Sequence, residues 1–412
     1  MRRRPGLTAA GAGLALAVTG WAEPWPGWRG PRGDGTSRET AVPVHWTATS
    51  NVLWKVPVPG VGHASPIVWD HHVFTVTCLP DTGDRVLLAF DRDSGRTLWQ
   101  RTVVQTPLER KHPLNSHASS TPATDGESVY AAFLDGERML VAAYDFAGHQ
   151  HWLVRPGEFH SMHGFCSSPV LFEDKVIVNG DHDGDGYIVA LARSDGRELW
   201  RIDRPNKTRS YCAPTIFEIA GRTQMVLSGT ECVTSYDPHD GRLHWIIDGP
   251  TEQFVASIVY HASAGLFFVT GGYPAHHLLA VRPDGNGNIT DTHIAWRHRK
   301  ASYVAYVPSP IAAGDYFLVV SDLGDGCCFA AKSGELMWQE DFGEEHASLV
   351  SANGLVYFLN DAGVTRVVRP GPRLEVVAVN ELGERCYASP AISDGRIYLR
   401  SFQHLYAIGT TP

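Results

Sequence analysis

The stretch Ala89-Phe90-Asp91-Arg92-Asp93-Ser94-Gly95-Arg96-Thr97-Leu98-Trp99 decides the fold, because it recurs along the chain. It returns as Ala190-Leu-Ala-Arg-Ser-Asp195-Gly196-Arg-Glu-Leu-Trp200, and as Ser235-Tyr-Asp237-Pro-His-Asp240-Gly241-Arg-Leu-His-Trp245. Another copy is Cys328-Phe-Ala330-Ala-Lys-Ser333-Gly334-Glu-Leu-Met-Trp338. A shorter copy runs from Ala143 through Asp145 and Gly148 to Trp152, and a longer one from Ala280 through Gly285 to Trp296. Self-similarity at a fixed period is the mark of a repeat architecture, in which each unit buries its faces against its neighbours.

A second signature precedes each copy: a small residue and proline leading into an apolar strand. It is seen at Ser65-Pro66, Thr121-Pro122, Ser168-Pro169, Ala213-Pro214, Ser309-Pro310 and Ser389-Pro390, with Ser257-Ile258 and Leu349-Val350 placed in the same register. Between the signatures lie hairpin signals such as Asp125-Gly126 before Val129–Phe133 and Asp394-Gly395 before Ile397–Leu399. Asp-Gly between apolar alternations favours a tight turn, since both residues tolerate positive φ. The count is eight units of roughly 45 residues, the period of a four-stranded propeller blade. The last unit, from Ala388 to Ile408, holds only three strands, and Val52-Leu53-Trp54-Lys55-Val56 reads as its missing fourth. The expected fold is therefore all-β: an eight-bladed β-propeller of four-stranded blades, closed by N- and C-terminal strands that share the last blade.

Composition agrees. The chain has 412 residues, 43% hydrophobic and 19% charged, which supports a buried core and argues against disorder. Net charge is −9 with no Lys/Arg cluster, so no nucleic-acid partner is expected. Arg2, Arg3 and Arg4 precede an apolar run from Leu7 to Val18, and Gly20-Trp21-Ala22 offers small residues to a signal peptidase. Residues 1–22 are read as a cleavable signal peptide, 23–51 as a lead-in and 52–409 as a single propeller. No cysteine precedes Cys78, so no lipid anchor is expected, nor a transmembrane segment in the mature chain. The expected location is periplasmic or secreted, and the expected state monomeric.

The run Ala-x-Asp-x-x-Ser/Thr-Gly-x-x-x-Trp resembles the tryptophan-docking motif of PQQ-like (pyrroloquinoline quinone) repeat propellers, the superfamily of quinoprotein dehydrogenases and BamB-type proteins. The segments Trp25-Pro-Gly-Trp28-Arg29-Gly30-Pro31 and Val307-Pro308-Ser309-Pro310 are similar to those of exported members. The resemblance implies that each tryptophan packs over the glycine turn of a neighbouring blade. The roles map to Trp99, Trp152, Trp200, Trp245, Trp296 and Trp338, with Gly95, Gly148, Gly196, Gly241, Gly285 and Gly334 beneath them. Two departures stand out: Cys-x-x-Cys-His of the haem-bearing members is absent, and so is the anchoring cysteine of the BamB type.

Candidate chemistry is sparse. Cys327-Cys328 matches the adjacent cysteines of several quinoprotein dehydrogenases, yet Cys328 holds the repeat position of Ala89 and reads as core. Asp181-x-Asp183-x-Asp185-Gly186 opens like a calcium loop but lacks the later acidic ligand, so a polar loop competes with a metal site. His63, His117, His163 and His346 precede the inner strands of blades one, two, three and seven, with Tyr211, Tyr306 and Cys386 in comparable places. The innermost strands start beside the central channel, so His63, His117, His163, Tyr211, Tyr306 and His346 are the candidate ligand-binding ring. His160-x-x-His163-x-x-Cys166 adds donors at a spacing that is not a standard zinc pattern. No catalytic residue is assigned, since no nucleophile–base motif is visible.

The leading expectation is an exported, non-catalytic binding or scaffold propeller, BamB-like in protein assembly at the cell envelope. Its partner would be another envelope or secreted protein, or a small ligand in the funnel, with no cofactor. The alternative is a small quinoprotein oxidoreductase that uses PQQ with calcium to oxidise an alcohol or sugar.

Overall fold

The computed structural model describes residues 23–219 and 221–410, so the expected signal peptide over 1–22 lies outside it. Every blade is a four-stranded antiparallel meander: residues 67–105, 123–158, 170–203, 215–248, 259–298, 311–341 and 350–381 form blades one to seven. Blade eight joins Ala391–Ser393, Arg396–Arg400 and His404–Ile408 to the N-terminal strand Val52–Pro57, which pairs antiparallel with His404–Ile408. The chain is thus the eight-bladed all-β propeller, sealed by its own two ends. Closure leaves no open seam in the ring. Among the described residues no helix is long and apolar enough to cross a membrane.

The middle strands are buried on both faces, as in Val73–Cys78 and Leu87–Phe90. Their apolar side chains do not meet at one centre. They form clusters between neighbouring blades, for example Phe74, Leu87 and Ala89 of blade one with Phe133, Leu140 and Ala142 of blade two. Sheet-on-sheet packing around a ring is what makes every blade depend on the next.

The tryptophans close these seams from outside. Trp99 donates its indole N–H to Phe146 O (2.8 Å), Trp152 to Arg193 O (2.9 Å), Trp200 to Pro238 O (3.2 Å), Trp296 to Ala331 O (3.0 Å) and Trp338 to Gly371 O (3.1 Å). Each acceptor lies in the outer turn of the following blade. A Cβ on Gly196 would stand 2.7 Å from the Trp152 ring, and Gly196 has φ +74, so both space and backbone require glycine there. Gly148 lies under Trp99 and Gly334 under Trp296 in the same way.

Two corrections follow. Trp54, in the closing strand, is a docking residue the repeat did not announce: it donates to Arg92 O (2.9 Å) and covers Gly95. Trp245 does not dock. Its indole is fully buried and donates to Gln224 Oε1 (2.9 Å) within its own blade. The cause is the long turn of blade five, which folds back and adds Gly287–Asn288 as a fifth, parallel strand beside Leu243–Asp248. Gln224 Nε2 binds Pro283 O (3.0 Å) and Gly285 packs on Ile289, so this turn covers the face a docked indole would use.

Inside the ring the small residue of the second signature has a specific task. The backbone N–H of Ser65 donates to Thr121 Oγ1, Thr121 to Ser168 Oγ, Ser257 to Ser309 Oγ, Ser309 to Ser348 Oγ and Ser348 to Ser389 Oγ, all between 2.8 and 3.0 Å. This hydroxyl belt places Ser348-Leu349, not Leu349-Val350, in register in blade seven. At the seam of blades eight and one, buried Arg400 does the same work, binding Thr75 Oγ1 (3.1 Å), Thr77 Oγ1 (3.3 Å) and Val76 O.

The lead-in is packed against the ring. Trp25 pairs with Val68 of blade one, and Trp28 Nε1 donates to Ser257 Oγ of blade five (2.9 Å). Buried Arg29 binds Ser309 O, Pro310 O and Leu349 O of blades six and seven. The segment therefore lies across one end of the channel.

Trp54→Ala should lower the unfolding free energy by about 3 kcal/mol, the cost of truncating a packed indole. Trp54→Phe, which removes chiefly the hydrogen bond, should cost about 1 kcal/mol. Urea unfolding of both variants checks this; equal losses would mean that the seam depends on the N–H rather than the ring.

Candidate functional site

At the other end of the channel the inner strands open into a cavity of about 710 Å³, to which all eight blades contribute. His63, His163, Tyr211, Tyr306 and His346 line it, as do Trp28, Asn115, Gln253, Tyr273, Asp322 and Tyr387. His117 is the exception among the six ring candidates. Its Nε2 meets Glu109 O (2.9 Å), because the long connection before blade two folds back on itself and presents Asn115 and Ser119 to the cavity instead. Trp28 and Tyr387 escaped the sequence reading. Trp28 belongs to the lead-in, and Tyr387 stands one residue beyond the Cys386 taken as its counterpart.

The polar tips of the lining aromatics are tied back to protein. Tyr211 OH bonds Ser161 Oγ (2.7 Å), Tyr306 OH donates to Gln253 Oε1 (2.8 Å), and Tyr387 OH accepts from Arg385 (2.6 Å). Burial pushes the Tyr211 and Tyr306 hydroxyls up, so both stay protonated. What these side chains leave to the cavity is ring surface.

The histidines differ. His63 is pushed down to about 3 by burial and by the Arg400 cation, so it is neutral. His163 is lowered by burial and by Arg209. His346 behaves otherwise: burial opposes its charge, but Asp361 Oδ2 takes its Nδ1 at 2.8 Å and raises it above the ordinary 6.5. Asp361 Oδ1 also accepts the His346 backbone N–H (3.0 Å), and the imidazole stacks on Tyr387 with centroids 4.7 Å apart. Nε2 has no protein partner among the described residues, and it is the nitrogen a ligand would meet.

Two acidic groups flank this histidine. Asp322 accepts the backbone N–H of Tyr306 (2.8 Å) and Val307 (2.9 Å); burial raises its pKa against those two bonds. Glu345 is fully buried with neither carboxyl oxygen hydrogen-bonded, and burial with nearby Asp361 raises it well above the ordinary value.

The aspartates of the calcium-like loop are engaged one by one. Asp181 meets Arg204 Nε at 2.8 Å with both side chains fully buried, Asp183 meets Arg209 at 2.6 Å, and Asp185 meets Lys207 at 2.6 Å. Burial opposes the Arg204 charge, but Asp181 and Tyr236 hold it above its ordinary value. Three carboxylates on three cations do not make one coordination shell. Among the described residues no three His, Cys, Asp or Glu side chains come together as a metal-binding group. Cys327 and Cys328 lie outside the cavity lining. As neighbours in one strand they turn to opposite faces, Cys327 packing toward blade five and Cys328 toward blade seven, both as free thiols.

The His346–Asp361 pair sets a pH dependence. A histidine raised in the folded state contributes stability that is complete below its unfolded value near 6.5 and is lost as pH rises through the folded value. An NMR titration of the His346 ring should give a midpoint above 6.5, and Asp361→Asn should bring it below. An unchanged midpoint in the variant would assign the shift to other groups.

A family model described as outer membrane protein assembly factor BamB matches residues 36–152 and 115–255. No curated protein matches the sequence. The crystal structure of BamB from Moraxella catarrhalis is similar at TM-score 0.61 and 12% identity, over 86% of this chain and 99% of that one. A europium-containing methanol dehydrogenase is similar at TM-score 0.56 and 12% identity, over 93% of this chain and 90% of that one. At such identities the likeness is one of fold. The two family matches overlap and together take in more than half of the sequence, and the chain belongs to the PQQ-like repeat propellers of the BamB family.

Proposed function

We propose that this protein is an exported binding propeller of the cell envelope, BamB-like in working with a partner protein, and that its recognition site is the open cavity. The observation that carries the reading is the build of that cavity: about 710 Å³, fed by every blade, floored by Trp28, and lined by aromatic side chains whose polar tips are already bound. A pocket of that size with ring walls and few free polar groups is suited to holding a side chain or small ligand. Its rim adds exposed apolar residues, Leu114, Met162, Tyr273 and Leu323, of the kind that mark contact surfaces. Removal of a leader over 1–22 and a periplasmic or secreted location belong to the same reading. So does a binding role in which the cavity side chains position a ligand and perform no step on it.

A small PQQ-dependent oxidoreductase is the second reading, favoured by the presence of an arginine, Arg209, and a carboxylate, Asp322, in the lining. The donor set fits that cofactor poorly. Arg209 is paired with Asp183, and both Asp322 oxygens accept backbone N–H groups. Gln253 Oε1 is taken by Tyr306, and Asn115 Oδ1 by Ser119.

A photo-crosslinker placed at Tyr273 on the rim, compared with one at Val379 on the outer strand of blade seven, separates the readings; these positions are 53% and 55% exposed. In cells that export the protein, Tyr273 should give a discrete adduct with another protein and Val379 should not. Absence of that adduct, together with tight one-site binding of PQQ and calcium in a calorimetric titration, would overturn the binding-propeller reading.

A further inference from the structure

The charges around the cavity do not cancel evenly. Arg209 is neutralised by Asp183 at 2.6 Å and the raised His346 by Asp361 at 2.8 Å. His63 and His163 are depressed and uncharged near neutral pH. Asp322 is left. It lines the cavity, its two oxygens accept backbone N–H groups of Tyr306 and Val307, and no cation pairs with it among the described residues. His346, whose charge favours that of Asp322, is already paired with Asp361.

The same cavity is lined by Trp28, Tyr211, Tyr306 and Tyr387, with Tyr273 at the rim. Trp28 is anchored through Nε1 to Ser257, and the hydroxyls of Tyr211, Tyr306 and Tyr387 are each bound elsewhere. The rings of Trp28, Tyr211 and Tyr306 are held by these bonds at their edges, whereas the Tyr387 ring already stacks on His346 and lies under Arg385. A ring face carries negative potential, and several of them beside one carboxylate stabilise a weakly hydrated cation better than an anion or a neutral group. Tyr306 is further fixed by Gly272, where a Cβ would fall 2.6 Å from the tyrosine Cβ.

We infer that the cavity is an aromatic cage for an organic cation, an alkylated ammonium group held over Trp28, Tyr211 and Tyr306 with Asp322 as its counter-charge. This rests on the cavity being the recognition site and names the chemistry that fills it. The ammonium could arrive on a small molecule or on a lysine side chain of a partner protein; the ligand chemistry is the same, and the two sources are told apart by the probe.

The test is a calorimetric titration of the full mature chain with choline, with its uncharged carbon isostere dimethylbutanol, and with a short peptide carrying trimethyllysine. The cation should bind at one site per chain and the isostere about tenfold or more weakly. Asp322→Asn and Tyr306→Ala should each weaken the cation about tenfold, while Tyr306→Phe should leave it nearly unchanged. Tighter binding of the peptide than of choline would assign the ammonium to a protein partner, and the reverse to a small molecule. Asp322 also caps two backbone N–H groups, so the melting temperature of each variant is measured alongside; Tyr211→Ala, which touches neither cap, repeats the test where Asp322→Asn is unfolded. Equal binding of choline and its isostere, or no cation binding at millimolar concentration, overturns the proposal. A rim adduct at Tyr273 that Asp322→Asn leaves intact would retain the binding propeller while rejecting the cage.

Discussion

Everything in this molecule depends on closing the seam between one flat sheet and the next. A four-stranded blade cannot bury both faces alone, and its stability is borrowed from its two neighbours. The recurrent closure is an indole with its N–H on a turn carbonyl, at Trp54, Trp99, Trp152, Trp200, Trp296 and Trp338, laid over a glycine at all of these but Trp338. The ring covers apolar edge, the N–H satisfies a carbonyl that water would otherwise reach, and the missing Cβ allows contact at van der Waals distance. The seam of blades four and five lacks this device and carries an additional strand and the Gln224 bonds instead, and the outer strand of blade seven, Glu375–Glu381, has no tryptophan to lay on blade eight. Substitution by a different device at one place, with the ring intact, indicates that closure itself is the constraint and the tryptophan a means to it.

The inner belt of hydroxyls has a consequence for the site. Ser65, Thr121, Ser257, Ser309 and Ser348 pass their backbone N–H groups to the next blade and so fix the strand starts. Of the residues two or three positions before these strand starts, His63, Tyr306 and His346 differ between blades and face the cavity. Rigidity and variability thus sit two or three residues apart on these blades, which is how one scaffold can host a particular pocket. The lead-in completes the arrangement by placing Trp28 at the floor.

Much of this was legible in the sequence, and the failures have physical reasons. Period, blade number and closure followed from spacing, because a repeat must present the same residues at the same points of contact. Trp54 was missed as a docking residue because its carbonyl partner, Arg92, lies 38 residues downstream of a strand that has no turn of its own type. Trp245 was misassigned because its local pattern is intact, and only the folding-back of a turn from the next blade displaces its role. The register in blade seven slipped by one since Ser348 lacks the following proline. Asp181, Asp183 and Asp185 show a limit of spacing arguments: alternate carboxylates can serve one ion or three arginine and lysine partners, and only the positions of Arg204, Lys207 and Arg209 decide. His117 failed for want of knowing how a long connection folds.

The two aspartates beside the cavity show how a repeat creates asymmetry. Asp322 and Asp361 each stand two residues beyond the second strand of their blades, Tyr316–Val320 and Leu355–Leu359. Each caps backbone N–H groups at the start of its own blade. In blade six both oxygens are used this way, on Tyr306 and Val307. In blade seven one oxygen takes the N–H of His346 and the other its imidazole. The same fold position therefore yields a carboxylate neutralised by a cation in one blade and one supported only by dipoles in the next. Dipoles can keep a buried carboxylate ionised, but they do not cancel its field. A field left over in an open, ring-lined cavity acts on whatever enters, and it selects for positive charge.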